Sequence, residues 1–218
     1  MPSKRYQQMK SELRRLQGAL AFRIRAGSAF TLTPQLSIRA LAYRVLAHAE
    51  IEQFLEDRVI EIVMSTDKAF KNRRFVSETT ICLLNYSQIT LSKVPESLSP
   101  PPGKSQNDWN AVIFPDSNFF KAVSTYVNRV RNQNHGVKEE NVLSMLLPIG
   151  FSATDIDSLL LIELNDFGRK RGAAAHAGLG QHVRAGVNPL DEIAQVQRIL
   201  TGLLDVDRKL SKILSRCR

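Results

Sequence analysis

An all-α fold, an up-and-down helical bundle with accessory helices, is what this 218-residue sequence predicts. Three observations predict it. Long segments carry apolar residues at helical spacing, their starts carry N-cap chemistry, and nowhere does a hairpin signature or sustained strand alternation appear. Residues 5–25 hold helix formers and many charges, and residues 1–28 are expected as a basic N-terminal helix packing on or flanking the bundle. Thr33-Pro34 supplies an N-cap followed by proline at the first helical position. From there a long helix to about Met64 is predicted, with a stripe of Ile38, Leu41, Val45, Leu55, Val59 and Ile62. A further helix over 67–91 takes Asp67 as its cap and Phe70, Phe75, Ile81, Leu84 and Ile89 as its apolar positions.

Leu98 to Asp108, with Pro100-Pro101-Pro102-Gly103, reads as a loop inside one domain spanning 1–218. Asp116 can cap a helix to about Arg131, which Asn132-Gln133-Asn134-His135-Gly136 closes with turn chemistry. A short helix over 138–147 stops at Pro148 and Gly150. Thr154, with Asp155 and Asp157 behind it, is expected to start the helix leading into Arg171 and His176, which Gly178 and Gly180 weaken. Asn188-Pro189 caps the last helix, to about Leu214, striped by Leu190, Ile193, Leu200, Leu203, Leu204, Leu210 and Ile213.

The apolar content of 43% is that of a folding chain. No apolar run approaches membrane-spanning length and the N-terminus is not signal-like, so a cytoplasmic protein without a membrane partner is expected. Two cysteines, Cys82 and Cys217, are too few for a disulfide framework. The four histidines show no metal-ligand spacing and no phosphate loop occurs, so neither metal nor cofactor is expected. A net charge of +9 favours phosphate backbones or acidic protein partners. Basic residues cluster near Lys4–Arg25, at Lys68–Arg74 and at Arg208–Arg218, without the interleaved aromatics of a base-stacking platform.

The chemistry-bearing stretch is Arg171-Gly172-Ala173-Ala174-Ala175-His176. An imidazole moves protons near neutral pH, and a guanidinium binds phosphate or steadies its transition-state charge. The four small residues between them leave room for a helix or a nucleic-acid backbone. On a straight helix five positions turn about 140°, so Arg171 and His176 do not share a face. A break near the glycines, a long Arg reaching round, or residues arriving from two subunits would each reconcile them. His48 and Glu52, at i and i+4 within the stripe of the long helix, are a candidate partly buried pair; a pair satisfied within itself, or a misassigned helix face, is the favoured reading, and a partner in the motif Arg is the alternative. His135 is assigned to its turn, and His182 to an exposed loop.

Together these segments resemble the HEPN superfamily, most closely its RiboL-PSP-HEPN/MAE-like branch. The resemblance rests on RGAAAHAG at 171–178, on Asn134-His135-Gly136 with the helix after it, and on the acidic helix segment His48–Leu55. It implies a helical bundle, commonly a homodimer, whose paired motifs form one metal-independent endoribonuclease site. Arg171 and His176 would be catalytic; Arg169, seven positions before His176 and nearly in line with it on a helix, is with Lys170 the candidate for binding phosphate on position alone. His48 and Glu52 would support the motif. Family members often act as toxins or phage-defence effectors, so RNA and an acidic antitoxin or regulator are the implied partners. Gly172 stands where many active members carry a polar residue, which keeps open a non-catalytic nucleic-acid- or protein-binding module.

Overall fold

In a computed structural model, the structure describes residues 1–20, 31–87, 102–103, 116–176 and 186–217, apart from the side chains of Ala175 and His176. Among these residues there are seven α-helices and no strand. They are α1 (Lys4–Ala19), α2 (Pro34–Arg73), α3 (Glu78–Tyr86), α4 (Asp116–Asn128), α5 (Glu139–Leu146), α6 (Ser158–His176) and α7 (Pro189–Arg216). Among the described residues no helix is long and apolar enough to cross a membrane. The all-α bundle expected from the periodicity is therefore what forms.

The 40-residue α2 is the central rod, and α1, α6 and α7 pack along it. Thr33 caps it by accepting from the Leu36 N–H, and Pro34 sits in its first turn as expected. It does not stop near Met64. No glycine or proline interrupts residues 35–73, so the helix runs through Asp67, whose carboxylate pairs at 2.7 Å with Lys71 one turn on. The expected cap is thus an interior residue, and the chain breaks at Arg74, in the left-handed region at φ 54°. Ser77 caps α3 instead, in a reciprocal box with Thr80.

The buried face of α2 also differs from the expected stripe in its first half. Ile38 and Val45 are exposed, while Ala40, Tyr43, Arg44, Ala47, His48 and Ile51 are buried. The reason lies across the interface. Arg44 forms a two-pronged ion pair with Glu192 of α7, Nε to Oε2 at 2.8 Å and Nη2 to Oε1 at 2.6 Å. A charge met by its opposite can occupy a core face that hydropathy would give to Ile or Val. In the second half Leu55, Val59 and Ile62 are buried as expected.

Further down α2, Arg58 and Asp207 of α7 form a second buried ion pair at 2.9 Å. Asp207 also accepts from the backbone N–H and the hydroxyl of Ser3, at 2.7 and 2.6 Å. Ser3 is itself the N-cap of α1, so one carboxylate ties three helices together. Tyr6, Met9 and Leu13 bury the apolar face of α1, and the Tyr6 hydroxyl donates to the Leu200 carbonyl at 2.8 Å. The expected N-terminal helix therefore packs on α2 and α7, and its basic residues Lys4, Arg5, Lys10, Arg14 and Arg15 face outward. Arg23 and Arg25 lie outside the described residues.

The remaining boundaries shift modestly. After α4 the chain makes one π-helical turn, Arg129–Gln133, where an α-helix to Arg131 was expected. Thr154 and Asp155 belong to a short 3-10 turn and cap nothing; α6 starts at Ser158, where Asp157 accepts from the Leu159 N–H at 2.9 Å. Asn188 caps α7 by accepting from the Leu190 N–H at 3.0 Å. Within the loop expected over 98–108, Pro102-Gly103 forms an exposed turn, and the rest lies outside the described residues.

Candidate active site

Three segments far apart in sequence meet beside the middle of α2: His48–Glu56, the turn Asn134–Gly136, and Arg171 on α6. The turn is what joins them. Its Asn134 amide donates to Glu56 Oε1 at 2.9 Å and to Glu52 Oε1 at 3.3 Å. Asn141, from the first turn of α5, donates in turn to Asn134 Oδ1 at 3.1 Å and so fixes the amide's orientation. The Gly136 N–H donates to the Glu52 carboxylate. Gly136 has φ 153°, a conformation side chains rarely adopt, and a Cβ there would lie 3.8 Å from the His48 ring. That distance is ordinary contact, so it is the positive φ, not a lack of room, that favours glycine beside the imidazole.

His48 is only 2% exposed and stacks at 5.8 Å, tilted, on the Phe167 ring of α6. Burial, and then the positive charge of Arg171, push its imidazole down to about 4, so it is neutral at physiological pH. Its Nδ1 stands 3.6 Å from Glu52 Oε2, too far for a hydrogen bond, and a neutral ring makes no ion pair. The pair is therefore not satisfied within itself. Glu52 takes its partners from Asn134, Gly136 and the charge of Arg171.

The carboxyls of Glu52 and Glu56 are both raised above the ordinary glutamate value. For Glu52, burial and the neighbouring Glu56 raise it, and Arg171, His135 and the Gly136 N–H offset part of the rise. For Glu56, burial raises it against the Asn134 hydrogen bond and the charges of Arg131 and His135, with Asp57 adding to the rise. Arg131, at the π-helical turn, pairs with Asp57 at 3.2 Å. π-helical turns frequently mark functional positions, and this one opens onto a cleft of about 250 Å3. Arg129, Asn134, Glu140, Asn141 and Ser144 line it.

On α6, Arg171 is half-buried and acts on His48 and Glu52 of α2. Arg169 and Lys170 belong to another face: both pair with Asp166, at 2.9 and 2.6 Å, and Lys170 also reaches Gln195 of α7 at 3.1 Å. Burial opposes ionisation of Asp166, but hydrogen bonds from Lys170, Gln195 and Arg169 outweigh it and hold the carboxyl down at about 2. The helix continues unbroken through Gly172 to His176, so the backbone positions of Arg171 and His176 are turned about 140° from each other. The His176 side chain, Gly178, Gly180 and His182 lie outside the described residues. Among the described residues, a Cβ at Gly172 would meet nothing within 4 Å.

Sequence reading singled out His48, Glu52 and Arg171, and the structure brings these three together. It missed Glu56, Asn134 and Asn141 as members of the same network. The available signal was the i, i+4 spacing of Glu52 and Glu56, one turn beyond His48. Compared with known proteins, the chain matches no family model, no curated protein and no solved structure.

Proposed function

We propose that this chain is a metal-independent endoribonuclease of the HEPN type, a toxin or phage-defence effector, with Arg171 and His176 as its catalytic pair. One observation carries the reading. The three segments that resemble that superfamily, 48–55, 134–142 and 171–178, contribute residues to a single cluster, although 78 positions separate Asn134 from Glu56 alone. The charge balance of +9 and the exposed basic clusters of α1, α2 and α7 suit a polyanionic substrate.

RNA brings its own nucleophile, the 2′-hydroxyl beside the scissile phosphate. His176 removes its proton, Arg171 stabilises the charge of the pentacoordinate transition state, and a second His176, from the other subunit of a homodimer, protonates the leaving 5′-oxygen. The products are a 2′,3′-cyclic phosphate and a 5′-hydroxyl. Arg169 and Lys170 bind neighbouring phosphates by exchanging Asp166 for the substrate. An acidic antitoxin or regulator would find the same basic surface.

Purified wild-type and His176→Ala protein, incubated with total RNA and a transfer-RNA pool in excess EDTA, test the reading. Discrete fragments with cyclic-phosphate ends from the wild type alone are expected, and an all-deoxy substrate is expected to survive. Intact RNA with folded wild-type protein, or cleavage of the all-deoxy strand, would overturn it. The non-catalytic binding module is the second reading; Gly172, together with an Arg171 charge already offset by Glu52, favours it. In that case His176→Ala leaves RNA binding unchanged.

A further inference from the structure

We propose that the corner where α2 ends and α3 begins binds single-stranded RNA, with Phe75 as a ring on which a base stacks and Lys68 and Arg73 as phosphate contacts. The inference rests on the endoribonuclease reading only for its choice of RNA. It adds a contact roughly 30 Å along α2 from Glu52.

Basic and aromatic side chains interleave here, which corrects the expectation for the Lys68–Arg74 cluster. Phe70 packs on Phe119 and Phe120 of α4, with ring centroids 4.7 and 6.1 Å apart. Over these rings stand Arg74, 5.6 Å from the Phe70 centroid, and Lys71, 5.0 Å from that of Phe120. Both cations have carboxylate partners, Asp116 for Arg74 and Asp67 for Lys71. These contacts fasten the end of α2 to α4, and basic residues suit the carbonyl end of a helix in any case. Neither reason covers Phe75. The N–H groups of Arg74 and Phe75 donate to the carbonyls of Phe70 and Ala69, at 2.9 and 3.4 Å. The left-handed turn at Arg74 then leaves Phe75 and Val76 at 40% and 54% exposure. The Arg73 guanidinium lies over the Phe75 ring, 5.9 Å from its centroid.

Arg73 also joins this ring to a cleft of about 580 Å3, a size that accepts a nucleotide. Ser65, Lys68 and Asn72 of α2 line the cleft with Arg73, and Cys217 closes it at the end of α7. The ion pairs of this corner take Lys71, Arg74 and Arg216; among the described residues neither Lys68 nor Arg73 pairs with a carboxylate. Their charges are therefore available to phosphates. A purely electrostatic groove would track a duplex as well as a single strand. An exposed ring beneath a guanidinium is of use only where bases are unstacked, because unpaired bases are held by stacking on aromatic rings and on Arg planes. Ser65 and Asn72 offer hydrogen bonds to a sugar or a base edge, which a lipid surface would not need.

Binding is measured apart from cleavage, by fluorescence anisotropy with a labelled single-stranded RNA whose 2′-oxygens are all methylated, so that it lacks the nucleophile and stays whole. A duplex of the same sequence is the comparison, and both are titrated at several salt concentrations. Phe75→Leu is expected to weaken single-strand binding by about fivefold or more, the low end for one lost aromatic stack, while Phe75→Tyr keeps it. Duplex affinity is expected to change with neither. Lys68→Gln and Arg73→Gln are each expected to lower the slope of log affinity against log salt by about 0.7. Thermal unfolding checks that all four variants fold. Unchanged single-strand affinity in Phe75→Leu, or an equal loss on the duplex, would overturn the proposal. So would Phe75-dependent binding to phosphatidylserine-containing vesicles without binding to RNA. Cleavage of unmodified RNA is scored separately: cleavage without Phe75-dependent binding overturns this proposal alone, and Phe75-dependent binding without cleavage overturns the endoribonuclease reading alone.

Discussion

Gly136 lies flat against the His48 ring, with the position of its missing Cβ 3.8 Å from both Cε1 and Nε2 of the imidazole. Two residues far apart in sequence are thereby neighbours, and the His48 ring, which also lies against Phe167, is only 2% exposed. Burial of this kind disfavours the charged imidazole, and the positive Arg171 disfavours it further.

The consequence for stability has a definite sign. His48 is pushed down to about 4 in the folded chain, against 6.5 when exposed. Below 6.5 the unfolded chain takes up a proton that the folded chain refuses, so stability is complete above that pH. It falls as pH drops from 6.5 towards about 4. At 1.36 kcal/mol per pH unit, the loss over that window is about 3 kcal/mol. The raised carboxyls of Glu52 and Glu56 act with the opposite sign, so the contribution of His48 is read as a difference. Urea midpoints of the wild type and of His48→Asn, measured at pH 7 and pH 4.5, should converge as pH falls. Parallel pH profiles for the two proteins would refute this account.

Gly172 has no packing reason to be glycine. It lies inside α6 and, among the described residues, a Cβ there meets nothing within 4 Å. Gly172→Ala should therefore stabilise the protein by about 0.5–1 kcal/mol, the helix-interior difference between the two residues. Thermal unfolding would register the gain as a higher Tm, and an unchanged or lower Tm would mean that the helix end needs glycine. Gly172→Asn fits the same space and places next to Arg171 the polar residue that active members of the resembled superfamily often carry. On the endoribonuclease reading, cleavage by this variant at or above the wild-type rate is expected.

Asp207 holds the base of the bundle. It is fully buried, pairs with Arg58 and accepts two hydrogen bonds from Ser3. Asp207→Ala leaves buried Arg58 with Glu61 and Ser211 as its remaining side-chain partners and removes the anchor of α1. Breaking a buried pair from one side costs up to about 3–5 kcal/mol, and with Glu61 still offsetting Arg58 chemical denaturation should show a loss toward the lower end of that range. Limited proteolysis should also find the segment before Leu20 cut first. A variant as stable as the wild type, with α1 still protected, would mean that Tyr6, Met9 and Leu13 suffice to dock that helix.

Much of the fold was legible in the sequence because helix signals are local. Thr33-Pro34 and Asn188-Pro189 start helices where cap chemistry says they should, and the stripe of α7 buries Leu200, Leu203 and Leu210 as its spacing implies. Reading failed where a polar residue had two uses. Asp67 has the chemistry of a cap, yet in an uninterrupted run of helix formers it pairs with Lys71 and the helix continues. Ile38 and Val45 look like core, yet Arg44 is the residue buried, because Glu192 waits 148 positions away. The candidate site was half legible: His48, Glu52 and Arg171 could be named from type and spacing, while Glu56, Asn134 and Asn141 could not.

The sequence by itself determined the helical class, most helix starts, and the residue types available for chemistry. Each of these follows from backbone geometry and from side chains within a few positions of one another. The tertiary structure decided which face of α2 is buried, which ion pairs lie in the core, and that the 134–136 turn closes over His48 beside Arg171. Those outcomes depend on the free energy of partners brought together from distant segments. A buried charge or amide is stable only once its partner arrives, and no local window of sequence contains that partner.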